Sequence, residues 1–379
     1  MVDINDKYKS NKMMIIVILI PLTIISKILQ FTVLPPKYFY DSGRMLSMST
    51  GSNTMQAWGD AYEIVADLFR EINFLNFDTL EDWAFFLAFI FGIALIFMFS
   101  RIDEPDELQC IFTICSIGLL NIYIFNISKD IIQYGIFFLI YLVIINKKLN
   151  KLFKVALITY IFYWESTFFR SYYILMGVLF VILYCIFKYI QKKNKPINKL
   201  MLLKIFFIIF LSMFLLIFIS QFISYEDYED LINVRNNHQN GGATSAIMNV
   251  FNDNGSLPLY MINYIINAIR MMIPVELLTN GVFYLPFVVY QVFILYYLVL
   301  TIKNINKDTN ENIILALCAF GGYLLVSFTF EPDFGSFVRH EASTFPILHL
   351  MVLNKSNYRF NKGRVENGKK NVQHLLQNN

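Results

Sequence analysis

The chain has 379 residues, of which 56% are hydrophobic and only 16% are charged. This balance excludes a soluble domain, because too few polar side chains are present to cover its surface. The formal net charge is +3, and the basic residues are dispersed along the chain, so we expect no nucleic-acid partner.

Hydrophobic runs of about 20 residues, the length that crosses a bilayer, follow one another along most of the chain. The run at 155–187 is too long for one helix and contains a polar break around Glu165 and Arg170, which predicts two helices that meet at the outer face. The pattern predicts an all-α, polytopic transmembrane helix bundle of about ten spans. The expected spans are 13–33, 83–100, 108–125, 131–145, two within 155–187, 201–223, 282–300, 313–330 and 341–353.

Lysines and arginines are distributed unequally between the two sides that these spans define. Most lie in segments on the same side as the amino terminus, and the positive-inside rule places that side in the cytoplasm. We therefore expect a multi-pass protein of a bacterial cytoplasmic membrane, with both termini inside and the first span retained as an anchor. Lys27 and Lys204 lie within spans, near enough to the ends for their side chains to snorkel. The basic residues on the outer side are Lys37, Arg44, Arg70, Lys129, Arg170, Arg235, Arg270 and Arg339.

Two long segments are expected at the outer face, 34–82 after the first span and 224–281 after the seventh. The first contains an amphipathic pattern at 61–74, which predicts a helix lying along the interface. The second contains an apolar stretch at 257–279 that prolines interrupt, which favours a re-entrant or interfacial helix over another span.

The chain divides into a predicted transmembrane domain, 1–353, and a polar, basic tail, 354–379, which we expect in the cytoplasm next to anionic lipid. The sequence contains neither a cytoplasmic domain nor a glycine-rich phosphate loop, so we expect no cofactor. Its four cysteines all fall inside apolar runs and lack the spacing of ligands, so we expect no metal site.

The short outer segments carry most of the polar groups that are not simple basic anchors. Because short loops stay close to the helix ends that hold them, we expect these groups to converge on one cavity at the outer membrane boundary. Arginine offers a planar fork to phosphate oxygens, a carboxylate can accept a proton from a hydroxyl, and aromatic rings stack on pyranose sugars. The alternative is that each charged residue is an interfacial anchor or half of a solvated pair. The groups are Asp41, Arg44, Lys129, Asp130, Glu165, Arg170, Glu331, Asp333, Arg339, His340 and Glu341.

This arrangement resembles the Wzy-type and EpsG-like polymerases of bacterial capsule, O-antigen and exopolysaccharide assembly. The resemblance rests on the topology, the Asp41 segment, the sequences at 128–130, 169–173 and 337–340, and the long outer loop from Ser224. It implies that the protein polymerises lipid-linked oligosaccharide repeat units at the outer face, without a nucleotide sugar. The implied partners are a polyprenyl-diphosphate-linked oligosaccharide, membrane lipid, a flippase and a chain-length regulator.

The same resemblance implies roles for individual residues. Asp41, Asp130, Arg170 and Arg339 are the implied catalytic residues, with Asp41 near the acceptor and the arginines on the diphosphate. One departure is that the second long loop lacks the arginine-rich repeats of some family members. The implied substrate-binding residues are Arg44, Lys129, Glu331, Asp333, His340, Arg235 and Arg270.

Other functions stay open at this point. A multi-span glycosyltransferase of the GT-C type, which uses a polyprenyl-phosphate sugar, would also place a catalytic acid where Asp41 lies, but it would add one sugar instead of a ladder of repeats. A flippase or exporter needs a polar path through the bilayer midplane, and the mid-span positions are nearly free of charge. An acyltransferase is disfavoured, because no histidine motif is placed to meet a cytoplasmic donor. His238 lies among asparagines and glycines typical of a loop.

Overall fold

The computed structural model describes residues 4–52, 60–102, 105–193, 197–225, 228–229, 231–233, 245–252, 255–281, 284–306 and 310–353. Within these residues the fold is all-helical, as the hydrophobic pattern predicts. The tail at 354–379 and the side chains of Arg235 and His238 lie outside the described residues, so what the sequence predicts for them stays a prediction.

Long helices occupy the apolar runs, and shorter ones lie in the connecting segments. A π-helical turn, Leu120–Ile124, extends α5, and 3₁₀ turns lie at Pro36–Phe39 and Val275–Asn280. The helices are α1 (Ile4–Thr32), α2 (Tyr40–Ser49), α3 (Asp60–Glu71), α4 (Leu80–Ser100), α5 (Glu107–Leu119), α6 (Lys129–Ile145), α7 (Lys151–Phe168), α8 (Tyr173–Lys193), α9 (Lys199–Ile223), α10 (Leu257–Met272), α11 (Leu285–Asn304), α12 (Glu311–Phe330), α13 (Phe334–Ser343) and α14 (Phe345–Val352).

Seven helices in the described part of the chain are long and apolar enough to cross a membrane: most of α1, then α4, α5 with its π turn, α8, α9, α11 and α12. This confirms a polytopic transmembrane helix bundle, with fewer long apolar helices than the ten or so spans expected. The three remaining expected spans are helical but less suited to crossing. α6 has 17 residues, α7 contains Lys151, Lys154 and Glu165, and the last span is divided between α13 and α14.

The expectation of one continuous helix at 341–353 is wrong, because the chain breaks at Thr344. Pro346 lies in the first turn of α14, where a helix does not need the missing N–H, and proline cannot supply the hydrogen bond that would continue α13. The hydroxyl of Thr344 donates to the backbone oxygen of Glu341 at 2.7 Å. The backbone N–H of Thr344 also donates to this oxygen, at 2.9 Å, so the carbonyl at the end of α13 has two donors from Thr344.

The predicted break within 155–187 is confirmed. α7 ends at Phe168 and α8 begins at Tyr173, and the two helices pack against each other. α8 also packs along α12, the most deeply buried of the membrane-spanning helices. At Gly322 of α12, a Cβ atom would lie only 3.0 Å from the backbone oxygen of Met176 in α8, so the missing side chain permits the close approach.

Both helices predicted in the long loops are also confirmed. α3 buries Tyr62 and Phe69 and carries the exposed ion pair of Asp67 with Arg70 at 2.8 Å. α10 is continuous from Leu257 to Met272, because Pro258 occupies its first turn, where the lack of an N–H costs nothing. Their location at the membrane interface stays a prediction.

The two lysines within predicted spans differ from each other. Lys204 is exposed, as snorkelling requires. Lys27 is not, so the expectation that it snorkels is wrong: its side chain is 0% exposed and its ammonium donates hydrogen bonds inside the bundle. The physical reason is that the backbone oxygens of Asn121 and Phe125 lie within hydrogen-bond distance of the ammonium.

Candidate functional site

Four short elements meet at one end of the bundle, namely α2, α3, the first turn of α6, and α13. α2 packs on α3, α3 on α6, and α6 on α13. α6 begins at Lys129 immediately after an extended Ser128, so Asp130 lies in its first turn, where the helix N-terminus favours a negative charge.

α13 is oriented by its N-cap. The Oδ1 atom of Asp333 accepts a hydrogen bond from the backbone N–H of Ser336 at 2.9 Å, and its Oδ2 accepts one from the Ser336 hydroxyl at 2.8 Å. A capped start is typical of helices whose first N–H groups have no other partner. Arg339 and His340 follow within the next two turns.

The guanidinium of Arg339 joins two carboxylates that come from distant parts of the chain. Its Nη2 lies 3.3 Å from Oδ2 of Asp41, and its Nε lies 3.0 Å from Oδ2 of Asp130. The Arg339 and Asp41 side chains are 22% and 20% exposed, whereas that of Asp130 is 5% exposed. The Asp41 side of this bridge is therefore open to a ligand, and the Asp130 side is closed.

The imidazole of His340 lies between two further carboxylate contacts. Its Nε2 is 3.2 Å from Oδ1 of Asp130, and its Nδ1 is 2.8 Å from Oε1 of Glu331. Both ring nitrogens thus face an anionic oxygen, an arrangement that favours the doubly protonated ring. We call Asp41, Asp130, Glu331, Arg339 and His340 the carboxylate cluster.

The titration of the cluster follows from this arrangement. Burial by itself lowers the pKa of His340, but Glu331 and Asp130 outweigh it and raise the pKa above its ordinary value. Burial also opposes the ionisation of Asp130 and Glu331. Even so, Arg339 and His340 hold the pKa of Asp130 below its ordinary range. His340 is the main group that lowers the pKa of Glu331. The mutual attraction of these groups therefore favours the charged forms of His340, Asp130 and Glu331.

Asp41 is held from two sides. The phenol of Tyr62 donates a hydrogen bond to Oδ1 of Asp41 at 3.1 Å, while Arg339 faces the other oxygen. Burial and the Asp41 carboxylate raise the pKa of Tyr62, so the phenol stays a donor. The ammonium of Lys129 lies 3.9 Å from the centre of the Tyr62 ring, and burial together with Arg170 lowers the pKa of Lys129 to about 8.

Arg170 lies beside the cluster in the break between α7 and α8. Its Nη1 donates to the phenol oxygen of Tyr172 at 2.7 Å and faces that of Tyr173 at 3.5 Å. The Tyr172 ring stacks on Phe330 with centroids 4.1 Å apart, which fixes its position. The direct contacts of the guanidinium are to neutral phenols, and Glu331 and Asp130 lie within electrostatic range, so Arg170 adds positive charge at the edge of the cluster.

The resolved contacts of the other predicted site residues are to groups outside the carboxylate cluster. Asp333 is occupied as the N-cap of α13 and contacts the Ser245 hydroxyl at 3.2 Å. Arg44 is buried and its guanidinium lies 5.4 Å from the centre of the Tyr40 ring. Arg270 forms an ion pair with Glu276 at 2.5 Å. The structure thus brings together Asp41, Lys129, Asp130, Arg170, Glu331, Arg339 and His340, whereas Arg270 pairs with Glu276 and Asp333 caps α13.

Sequence reasoning missed Tyr62 near the cluster, and it did not predict that Glu165, which it had identified as a polar group of the outer face, is buried. Tyr62 lies on the apolar face of α3, where a tyrosine is indistinguishable from an ordinary core residue, and its phenol reaches Asp41. Glu165 is 1% exposed, and neither of its carboxylate oxygens has a hydrogen-bond partner among the described residues. The signal for Glu165 was its presence in an apolar run, which by itself does not distinguish a helix-end anchor from a buried group.

The geometry defines what the site can do. Asp41 is a partly exposed carboxylate whose two oxygens are oriented by a phenol and a guanidinium, so it can accept a proton from a bound hydroxyl. Arg170 and Lys129 are cationic groups at the edge of the same cluster and can neutralise an anionic ligand.

The helices described define a multi-pass membrane protein with a carboxylate cluster at one end of its bundle. Comparison of the chain with protein-family models, with curated proteins and with solved structures finds no match.

Proposed function

We propose that this protein is a membrane glycosyltransferase that polymerises lipid-linked oligosaccharide repeat units at the outer face of the bacterial cytoplasmic membrane. The observation that carries the proposal is the bridge from Asp41 through Arg339 to Asp130, with Arg170 and Lys129 beside it. It supports transfer to a hydroxyl from a donor with an anionic leaving group.

In the proposed reaction, a hydroxyl of the acceptor sugar attacks the anomeric carbon of the lipid-linked chain. A new carbon–oxygen bond forms, the bond from the anomeric carbon to the diphosphate breaks, and the diphosphate lipid leaves with the electron pair. The hydroxyl proton passes to Asp41. Arg170 and Lys129 stabilise the negative charge that develops on the leaving diphosphate, and Arg339 orients Asp41.

The test is a deletion of the gene in the bacterium that encodes the protein, complemented with variants. Wild type is expected to restore a ladder of repeat units in the surface polysaccharide. Asp41→Asn cannot accept the proton, so this variant is expected to leave single repeat units while accumulating normally in the membrane. Asp67→Asn is the matched control, because Asp67 belongs to an exposed ion pair on the neighbouring α3.

The product also separates the alternatives. Unchanged polysaccharide in the deletion strain would contradict the proposal. A polysaccharide that lacks one sugar from every repeat would instead assign transfer of a single sugar, and complete repeat units retained on the cytoplasmic side would assign a flippase.

A further inference from the structure

The ammonium of Lys27, in α1, is enclosed by oxygen atoms. It donates to the backbone oxygens of Asn121 at 2.6 Å and Phe125 at 2.7 Å. It also contacts the side-chain oxygens of Gln30 at 3.1 Å and Asn126 at 3.2 Å. An ammonium has three protons, so these four oxygens occupy its whole donor capacity. All four oxygens are neutral: two belong to backbone carbonyl groups and two to side-chain amides.

Those oxygens belong to the π turn at the end of α5 and to the residues that follow it. The N–H of Phe125 donates to the oxygen of Leu120 at 2.8 Å, five residues back, and not to that of Asn121. Asn121 therefore loses the donor that a regular α-helix would give it, and the ammonium of Lys27 takes that place. An unpaired carbonyl inside a membrane protein is costly, so a π turn at this depth needs such a donor.

The π turn leads directly to the carboxylate cluster. It packs between α1 and α13, the helix that carries Arg339 and His340. The chain then runs through Asn126 and Ser128 to Asp130. A π turn holds one residue more than an α turn. If it converted to regular α-helix, the residues that enter α6 would therefore shift by one position.

We infer that Lys27 is a positioning residue, which holds the π turn open and thereby holds Asp130 against Arg339 and His340. The part of this inference that concerns catalysis rests on the proposed function. Its structural part stands on the contacts of Lys27 alone.

Lys27→Met tests it, because methionine keeps an unbranched side chain and removes the ammonium. In purified protein, deuterium exchange at amides 120–130 is expected to rise about tenfold or more, while exchange in α8 and α12 stays at the wild-type level. In the polymerisation assay, kcat is expected to fall about a hundredfold, as for other displacements of a catalytic group by about 1 Å. KM is expected to change little, because Arg170 and Lys129 remain.

Gln30→Met is the matched control. Gln30 lies one turn away on α1 and contacts Lys27 and Asn126, but it is bonded to neither of the two backbone oxygens of the turn that Lys27 holds. We expect it to keep near wild-type exchange and kcat. If Lys27→Met does not accumulate, Asn126→Ala replaces it, since it removes the amide that contacts Lys27 and donates to the oxygen of Ile122 at 2.7 Å. The same local rise in exchange is then expected.

Three outcomes are decisive. Wild-type exchange at 120–130 in the tested variant would overturn the inference. A rise spread over all helices would also overturn it, because Lys27 would then act only on overall stability. If wild type fails to polymerise repeat units, the proposed function fails, and the exchange measurement still decides whether Lys27 holds the turn.

Discussion

Arg339 is the side chain on which the arrangement of the carboxylate cluster depends. Lysine keeps its charge but offers one ammonium, so it cannot contact Asp41 and Asp130 in the fixed geometry of the guanidinium. We expect Arg339→Lys to abolish long polysaccharide chains at normal protein abundance, measured by the length distribution of the surface polysaccharide.

Arg70→Lys is the control for this substitution. Arg70 pairs with the exposed Asp67 and donates to the backbone oxygens of Met48 and Ser49, so its contacts lie outside the carboxylate cluster. That variant is expected to make chains of wild-type length. Chains of wild-type length from Arg339→Lys would show that charge alone is sufficient at position 339 and would remove the bridge from the mechanism.

His340 makes the stability of the cluster depend on pH. The pKa of His340 is raised in the folded state. Its contribution to the stability of the folded protein is therefore fully present below the unfolded-state pKa of about 6.5, and it is lost as the pH rises through the folded-state pKa. The carboxyls of Asp130 and Glu331 have lowered pKa values, so their contribution is present above about 4 and is lost as the pH falls further. The cluster is thus most stabilising between about pH 4.5 and 6.5.

The measurement is the thermal unfolding temperature of wild type and of His340→Gln in detergent, from pH 5 to pH 9. Wild type is expected to be the more stable at pH 5 to 6, and its advantage is expected to shrink steadily as the pH rises. An advantage that is constant over the whole range would show that His340 is neutral in the folded protein.

At the scale of the elements, the packing of α8 on α12 depends on a missing side chain. A Cβ atom at position 322 would lie 3.0 Å from the backbone oxygen of Met176, so Gly322→Ala must push the two helices apart. We expect this variant to be destabilised by about 1 to 3 kcal/mol, as overpacked sites are. Thermal unfolding in detergent measures the loss.

Gly92→Ala is the matched control, because nothing lies within 4 Å of a Cβ atom built there in α4. Alanine is the better helix former, so this change is expected to be neutral or to stabilise by up to about 1 kcal/mol. Equal stability of the two variants would show that α8 and α12 do not approach as closely as described.

The elements themselves were predictable to different degrees. The break between α7 and α8 could be predicted because polar residues interrupt an apolar run, and α3 because its apolar face has helical spacing. The break at Thr344 was missed, although Ser343, Thr344 and Pro346 signal it, because the stretch 341–353 is predicted as one span. The π turn after α5 has no periodic signal, since it depends on Lys27 of another helix.

At the scale of the whole molecule, the topology is the main prediction. From the positive-inside rule and the hairpin of α7 and α8, we expect the carboxylate cluster to lie at the outer side. Reporter fusions after Asp41, Arg170 and Gly335 are expected to report the outer side, and fusions after Asn150 and Asn306 the cytoplasm. A cytoplasmic signal at Arg170 would separate that residue from Asp41 and contradict the shared outer site.

The sequence by itself determined that this is an all-helical membrane protein, because the length and polarity of each run depend only on neighbouring residues. It also determined which charged residues lie near helix ends. Only the tertiary structure decided which of them meet. Arg339 joins Asp41 and Asp130 because α13 packs against α6 beside α2 and α3. Arg270 and Asp333 carry charges of the same kinds but are occupied by nearby partners, since a side chain pairs with whatever helix packing brings within about 4 Å.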